Sequence, residues 1–461
     1  MKQDKSFIYV VTLVATLGGL LFGYDTAVIS GAEKSIQFFL IDSQGLGSFL
    51  HGITVSSALI GCIIGGLISG VISSFFGRKY ALIIAGILFL FSALGSANPE
   101  FLFFEKGTPT LGVLWMFNIY RVVGGVGVGL ASAVCPMYIG EIAPADIRGR
   151  LVSLNQFAII FGMLVVYFVN WGIADGQTME WINEIGWRRM FLSEAIPASL
   201  FIVLVFFIPE SPRYLAMKEK EQEALNILMR LNGKENAQRI LDEIKSTLQI
   251  SKAKMFSYGK TVIIIGVLLS IFQQFVGINV ALYYAPRIFE SMGAAKDASM
   301  LQTIIMGLVN VGFTVIAILT VDRWGRKPLL ITGSIGMAIG MVAISTLAFL
   351  HSIGVATLVF IIIYTASFMM SWGPICWVLI SEIFPNKIRG QAIALVVAVQ
   401  WAANFFISAT YPAMMEFSGG LTYLFYGSMS VLSAFFVWKF VPETKGRTLE
   451  GIERIWFKND Q

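Results

Sequence analysis

The sequence predicts an all-α membrane protein with twelve transmembrane helices in two six-helix halves. Hydrophobic residues make up 56% of the 461-residue chain and charged residues only 13%, which is about half the charged share of a soluble globular domain. Apolar runs of membrane-spanning length recur along the whole chain. The same short motifs also follow corresponding runs in its first and second parts, which indicates an internal repeat.

The apolar runs define the expected helices in order. Backbone polar groups in hydrocarbon need partners within their own segment, so runs of this length are expected to be helical. The predicted spans are 7–30, 50–74, 80–97, 111–139, 151–174, 190–208, 261–286, 299–320, 328–350, 354–380, 390–413 and 421–438.

The distribution of Lys and Arg predicts the orientation. With both termini in the cytoplasm, the inner segments carry 26 of these residues and the outer segments carry 6, as the positive-inside rule requires. Apolar residues at helical spacing in the long polar segment predict short amphipathic helices there. We therefore expect an N-terminal half at 1–208, a cytoplasmic helical linker at 209–260, and a C-terminal half with a cytoplasmic tail at 261–461.

Three loop motifs recur in the same order at nearly equal intervals, which indicates duplication of a six-helix unit. Because six is an even number, both units have the same orientation, and transporters with parallel halves bind substrate between them near the midplane. The motifs are Gly77-Arg78-Lys79 and Gly325-Arg326-Lys327, Glu141 with Arg148-Gly149 and Glu382 with Arg389-Gly390, and Pro209-Glu210 and Pro442-Glu443.

These loops and three motifs within the spans resemble the signatures of the sugar porter family of the major facilitator superfamily, over essentially the whole chain. The resemblance is nearest to bacterial D-xylose/proton symporters. It implies the major facilitator fold, a bacterial inner-membrane location, and proton-coupled uptake of a monosaccharide by alternating access, with D-xylose as the first candidate. The motifs are Pro209-Glu210-Ser211-Pro212-Arg213, Pro442-Glu443-Thr444-Lys445-Gly446, Gly23-Tyr24-Asp25, Phe272-Gln273-Gln274-Phe275-Val276-Gly277-Ile278-Asn279 and Ser371-Trp372-Gly373-Pro374-Ile375-Cys376-Trp377.

Three charged residues fall within the predicted spans: Asp25, Arg121 and Glu194. Each costs at least ~2.5 kcal/mol at a helix centre, so such residues usually face a cavity or one another. The resemblance implies contact between Asp25 and Arg121. Asp25 is the expected proton carrier, because arginine stays protonated. We expect Glu194 to tune this pair or relay the proton, with pairing to Arg188 or Arg189 near the outer surface as the alternative.

A neutral sugar needs amide donors and acceptors and aromatic walls, and this sequence has both within its spans. Buried amides also join helices, so either role stays open for any single amide. Met163 stands where the related xylose symporters tend to have glutamine, which leaves glucose or another aldose as an alternative substrate. The resemblance implies sugar contacts from Gln156, Gln273, Gln274, Asn279, Asn310, Trp377, Gln400 and Trp401.

The duplicated loop charges imply, by the same resemblance, a gate on the cytoplasmic side. Its residues are Arg78, Glu141, Arg148, Asp322, Arg326, Glu382 and Arg389. Glycines at small-xxx-small spacing also predict close contacts between helices. These are Gly61 with Gly65, Gly66 with Gly70, and Gly125 with Gly129.

Other functions are disfavoured or stay as alternatives. The sequence has no Walker lysine motif, metal-ligand spacing or recognisable nucleophile and base. We therefore expect no cofactor, metal, nucleotide or nucleic-acid partner and no enzyme activity, and we expect the sugar, protons and lipid as partners. His51 is expected to be an interfacial residue. The alternatives are a sugar uniporter, a drug antiporter of the same fold and a sugar receptor, although sugar facilitators of this family generally have a neutral residue at the position of Asp25.

Overall fold

The computed structural model describes residues 4–144, 147–248, 255–291, 295–350, 352, 355–385 and 388–445, without the side chains at 247–248, 291, 296–297, 322, 355 and 381. Its described residues form helices and no strand. The helices are α1 Lys5–Ile36, α2 Ser48–Phe75, α3 Arg78–Ala97, α4 Leu111–Ile142, α5 Arg148–Ala174, α6 Met179–Trp181, α7 Trp187–Ser193, α8 Ala195–Val205, α9 Pro212–Met217, α10 Glu221–Asn232, α11 Lys234–Leu248, α12 Thr261–Phe275, α13 Ile278–Tyr283, α14 Ala285–Ser291, α15 Lys296–Trp324, α16 Arg326–Phe349, α17 Val355–Met370, α18 Trp372–Ile383, α19 Arg389–Phe417 and α20 Gly419–Phe440.

Within the described ranges, 11 helical stretches are long and apolar enough to cross a membrane. The predicted sixth span, 190–208, is divided at Glu194 into α7 and α8, each too short to count as a crossing alone. Together these two helices form the sixth span, which brings the number of spans to twelve. The prediction of an all-α membrane protein with twelve spans is therefore confirmed.

The helices pack in two groups. The first group, α1–α8, is joined through contacts of α2 with α4, α1 with α5 and α3 with α4, and the second, α12–α20, through contacts of α16 with α20 and α12 with α19. The groups meet where α2 packs on α19 and α5 packs on α15. A substrate site between the groups would therefore lie beside these helices.

The linker helices α9–α11 pack around a small apolar core of their own. Asp4, which caps the N-terminus of α1, forms an ion pair with Arg230 of α10 at 3.4 Å. The linker therefore lies at the end of the bundle where α1 begins. We call this the linker end and the opposite one the far end.

The duplicated Gly-Arg-Lys motifs adopt the same local structure. Gly77 has φ of 98° and Gly325 has φ of 93°, a backbone conformation that favours glycine. The next amide N–H donates to a glutamate that follows the sixth or the twelfth span. The distance is 2.9 Å from Arg78 N to Glu210 Oε1, and 3.1 Å from Arg326 N to Glu443 Oε1.

Glycine lets α2 and α4 pack backbone to backbone. A Cβ added at Gly125 would lie 1.8 Å from the carbonyl oxygen of Ala58, and one at Gly61 would lie 1.9 Å from that of Val122. The small-residue contacts expected at these positions are present. Gly70 differs, because a Cβ there meets nothing within 4 Å.

We predict that Gly125→Ala destabilises the protein by about 1–3 kcal/mol, because the added methyl overpacks the contact between α2 and α4. Gly70→Ala, with open space around it, is the matched control and is expected to unfold at the wild-type temperature. Thermal unfolding of the purified variants in detergent checks this, and equal melting temperatures for both variants would contradict the described packing.

Candidate functional site

The charged residues predicted within the spans come together in the interior of the first group. Arg121 Nη1 donates to Asp25 Oδ1 at 2.6 Å, and Arg121 Nη2 donates to the Asp25 carbonyl oxygen at 3.1 Å. Asp25 is 0% exposed and Arg121 is 1% exposed. This ion pair joins α1 to α4, and the guanidinium also lies 5.3 Å from the centre of the Phe191 ring.

Glu194 belongs to the same cluster. It is buried at the junction of α7 and α8 and interacts electrostatically with Asp25 and Arg121. One residue before it, the Ser193 hydroxyl lies 2.7 Å from the Tyr24 hydroxyl, which fixes α7 beside α1. Neither carboxyl oxygen of Glu194 has a hydrogen-bond partner among the described residues.

The alternative partners proposed for Glu194 are engaged elsewhere. Arg188 forms an ion pair with Glu100 in the loop after α3, and Arg189 lies over the Trp181 ring at 5.2 Å. Burial opposes ionisation of Glu100, but the hydrogen bond and the charge of Arg188 hold the pKa of this carboxyl below its ordinary value. Pairing of Glu194 with the outer arginines is therefore wrong.

The charges of the buried cluster determine what it can do. Two carboxyls, Asp25 and Glu194, face one guanidinium, which stays protonated. The cluster is electrically neutral when the two carboxyls hold one proton between them. Such a group can take up or release a proton when its exposure to solvent changes.

Four hydrogen-bonded side-chain amides lie in the second group, where two membrane helices are interrupted. We call them the amide cluster: Gln273, Gln274, Asn279 and Gln400. Gly277, with φ of 90°, separates α12 from α13, and Ser371 separates α17 from α18. Broken helices commonly form substrate sites in transporters. The side-chain nitrogens of Asn279, Gln274 and Gln400 donate to side-chain oxygens within this cluster. Gln273 Nε2 donates to the Trp372 carbonyl oxygen.

The hydrogen bonds of this amide cluster are specific. Asn279 Nδ2 lies 2.5 Å from Gln274 Oε1, and Gln274 Nε2 lies 2.8 Å from Gln273 Oε1. Gln400 of α19 also donates to Gln273 Oε1. The structure thus brings together four of the predicted sugar-contact residues.

Three further polar atoms, on the helices α15 and α19 that pack against the first group, are buried and have no hydrogen-bond partner among the described residues. They are Asn310 Oδ1, Gln400 Oε1 and Trp401 Nε1. Buried polar groups are normally satisfied, so these atoms are suited to hydroxyl groups of a ligand. The Trp401 ring lies 5.6 Å from the ring of Phe22 on α1, and this contact crosses between the two groups.

The other predicted sugar residues are placed less specifically. Gln156 and Trp377 are each half-buried, and in the described part of the structure no hydrogen bond joins their side chains to the amide cluster. Met163 is buried on α5, and a Cβ added at Gly23 of α1 would lie 3.1 Å from the Met163 backbone nitrogen. A glutamine at 163 would therefore bring an amide close to α1.

The predicted gate residues form ion pairs within each group. Arg78 donates to both oxygens of Glu141 at 2.8 Å, and Arg326 pairs with Glu382 at 2.9 Å. Arg148 and Arg389 donate to the carbonyl oxygens of Ala143 and Phe384 respectively. The side chain of Asp322, the seventh predicted residue, lies outside the described part of the structure.

Glu210 and Glu443 accept hydrogen bonds from the backbone of the two Gly-Arg-Lys motifs, but they differ in proton affinity. Burial raises the pKa of Glu210 above its ordinary value, although backbone N–H groups donate to its carboxylate. At Glu443 burial acts in the same direction, but the N–H groups of Lys445, Lys327 and Arg326 outweigh it and lower the pKa. The duplicated motif is thus electrostatically asymmetric.

Further polar contacts lie outside the predicted set of sugar-contact residues. Asn404 Nδ2 lies 3.3 Å from the Tyr283 hydroxyl, beside the amide cluster. At the far end, Glu33 and His51 are both buried, and His51, which was expected to be an interfacial residue, lies in the first turn of α2. The signal for Glu33 was weak, because α1 extends to Ile36 and the predicted span ended at 30.

Comparisons with known proteins agree with this geometry. Residues 11–456 match the family described as "Sugar (and other) transporter". The D-xylose-proton symporter of Escherichia coli is 52% identical over 475 residues, which covers 99% of this chain and 97% of that protein. The glucose facilitated diffusion protein of Zymomonas mobilis is 40% identical over 470 residues, which covers 99% of this chain and 98% of that protein.

A solved structure is similar over almost the whole chain. It is the partially occluded inward-open conformation of the xylose transporter XylE from E. coli, with a TM-score of 0.88 and 51% sequence identity. The match covers 96% of this chain and 100% of that one.

We predict that Glu194→Gln raises the stability of the purified protein at pH 8. Glutamine cannot ionise and offers an N–H donor to the Asp25 carboxylate, a kind of hydrogen bond that contributes about 1.5–3 kcal/mol. Thermal unfolding in detergent is the measurement, with exposed Glu184→Gln as the matched control. A lower melting temperature for Glu194→Gln alone would contradict the charge balance described for the cluster.

Proposed function

The chain belongs to the Sugar (and other) transporter family, and from this premise we propose that it carries a monosaccharide across the membrane together with a proton. D-xylose is the first candidate substrate, because the relative that is 52% identical is a D-xylose-proton symporter. The observation that carries the proton part of the proposal is the buried cluster of Asp25, Arg121 and Glu194. We infer a transporter and not an enzyme.

The orientation is part of the same proposal. The linker end, which carries most Lys and Arg of the predicted loops, faces the cytoplasm, and the far end faces the outside of the bacterial inner membrane. The two groups of helices correspond to the halves 1–208 and 261–461, and 209–260 is the cytoplasmic linker. Ion pairs between the groups close the far end, which supports an inward-facing conformation.

Asp25 is the proton carrier in this mechanism. From the outside, a proton neutralises the carboxylate and weakens its attraction for Arg121, so α1 and α4 are less tightly joined. On the cytoplasmic side the proton leaves, and the ion pair forms again. Glu194 holds or relays the proton, because it is the second carboxyl of the cluster.

The sugar binds at the amide cluster beside α12, α13 and α19. Gln273, Gln274, Asn279 and Gln400 supply donors and acceptors for the hydroxyl groups. Asn310 and Trp401 add unpartnered polar atoms, while Gln156 and Trp377 complete the proposed set. The gate at the linker end is formed by Arg78, Glu141, Arg148, Asp322, Arg326, Glu382 and Arg389.

Glucose is the second candidate substrate. A glucose facilitated diffusion protein is 40% identical to this chain, and Met163 provides an apolar surface where glutamine is expected in xylose symporters. A change of this size in a binding site alters the free-energy difference between two substrates by only ~1–3 kcal/mol. The preferred sugar is therefore decided by a small difference in affinity.

We predict that Asp25→Asn abolishes uphill accumulation of sugar and retains sugar exchange, because asparagine cannot carry a proton. Proteoliposomes with an imposed pH gradient are assayed for labelled sugar and external pH together. Exposed Asp42→Asn is the control and should accumulate sugar like wild type. Undiminished proton-driven uptake by Asp25→Asn would exclude Asp25 as the carrier, and wild-type uptake without external alkalinisation would indicate a uniporter.

We predict that Gln400→Ala weakens sugar binding by about tenfold, because one lost hydrogen bond contributes about 1.4 kcal/mol. The measurement is competition of labelled xylose by xylose, glucose and other aldoses. Gln302→Ala, on α15 outside the amide cluster, is the control. Wild-type affinity in Gln400→Ala would remove Gln400 from the site, and tighter binding of glucose than of xylose would replace the first candidate by the second.

A further inference from the structure

A partly buried ionic cluster joins the two groups of helices at the far end, apart from the Asp25 cluster. Its members are Glu33 and Lys34 of α1, His51 of α2, and Arg287 and Glu290 of α14. Glu33 is eight residues beyond Asp25 on the same helix, a rise of about 12 Å. Glu33 contributes to the closed far end through its ion pair with Arg287, but His51 has no part in the transport mechanism described above.

The contacts cross between the groups at two points. Arg287 Nε lies 3.3 Å from Glu33 Oε1, and the Arg287 guanidinium also donates to the Gln37 side chain. Lys34 forms an ion pair with Glu290. Since α1 and α14 belong to different groups, these pairs are present only while the far end is closed.

His51 supports this arrangement from α2. Its Nε2 lies 3.3 Å from Glu33 Oε2 and 3.3 Å from the Glu33 carbonyl oxygen. Both are acceptors, so Nε2 carries the ring proton of a neutral His51. The other ring nitrogen, Nδ1, is buried without a hydrogen-bond partner among the described residues. The ring meets the Tyr284 ring edge-on, with the centroids 6.2 Å apart.

The charges of the closed cluster balance without a proton on His51. Glu33 and Glu290 carry two negative charges, and Lys34 and Arg287 carry two positive charges. Of the other rings packed here, Tyr284 and Tyr411 of α19 are uncharged phenols. A second proton on His51 would give this balanced cluster one net positive charge at a side chain that is 0% exposed, and Nδ1–H would have no acceptor among the described residues. Burying such a charge is unfavourable.

We propose that His51 is a proton-sensitive switch of the far-end gate, neutral while the gate is closed and protonated when it opens. Acid outside the cell then favours the outward-facing conformation, in which hydrated His51 gains a proton. The direction relative to the cell rests on the orientation given under Proposed function. The switch itself depends only on the contacts between Glu33, His51 and Arg287.

Distance measurements between spin labels test the switch without any transport assay. Ser43→Cys in the first group and Phe417→Cys in the second are exposed at the far end, and the natural cysteines are buried. The longer-distance population is expected to rise about fivefold or more from pH 8 to pH 5, the range in which histidine ordinarily changes charge.

His51→Gln keeps an N–H donor for Glu33 and cannot be protonated, so it is expected to lose the histidine-dependent part of this rise. The chain has only two histidines, and His351→Gln is the matched control, expected to respond like wild type. A response of His51→Gln equal to wild type, or a shorter distance in acid, would overturn the proposal.

A second measurement uses the protein with its natural His51, so the proposal can still be tested if the His51→Gln variant misfolds. The NMR spectrum of histidine-labelled protein contains two imidazoles, which His351→Gln assigns. We expect His51 to gain its proton in step with the longer-distance population, and protonation without opening would overturn the proposal. A confirmed switch in a protein that transports no sugar would contradict the proposed function and leave the switch intact.

Discussion

The ion pair between Asp25 and Arg121 is the contact on which the interior of the first group depends. Both side chains are removed from solvent, and loss of one partner of such a pair typically costs 3–5 kcal/mol because the other is left buried and uncompensated. The pair therefore fixes α1 against α4 whenever Asp25 is ionised. Glu194 adds a second carboxyl and makes the strength of this contact depend on one proton.

Helix α1 connects the proposed proton site to the proposed sugar site. Phe22 lies three residues before Asp25, hence on nearly the same face of α1, and its ring contacts Trp401 of α19. Trp401 directly follows Gln400, which donates to Gln273 within the amide cluster. In the proposed mechanism, a shift of α1 on protonation of Asp25 would therefore act directly on an aromatic wall of the proposed sugar site, without a longer pathway through the protein.

The sequence predicts the spans and the duplicated loops well, because both depend on local patterns of apolar residues, glycine and charge. The contact between Asp25 and Arg121 is implied by the resemblance to the sugar porter family, because the cost of a charge within a span calls for a partner without identifying it. The sequence does not predict the partners of Glu33, His51 and Arg287, which meet only when α1, α2 and α14 pack. Likewise, Arg188 seemed available to Glu194 from its position, but the fold of the loop after α3 brings Glu100 to it.

The two ends of the molecule use ion pairs in different ways. At the linker end, duplication has placed Arg78 with Glu141 and Arg326 with Glu382, each pair within one group. Rocking of the groups as rigid bodies leaves these two pairs intact, so the proposed gate at this end must open and close through other contacts of its residues. Pairs at the far end join the groups and must break when that end opens. Because 1.4 kcal/mol changes an equilibrium tenfold, these few contacts are sufficient to determine which conformation predominates.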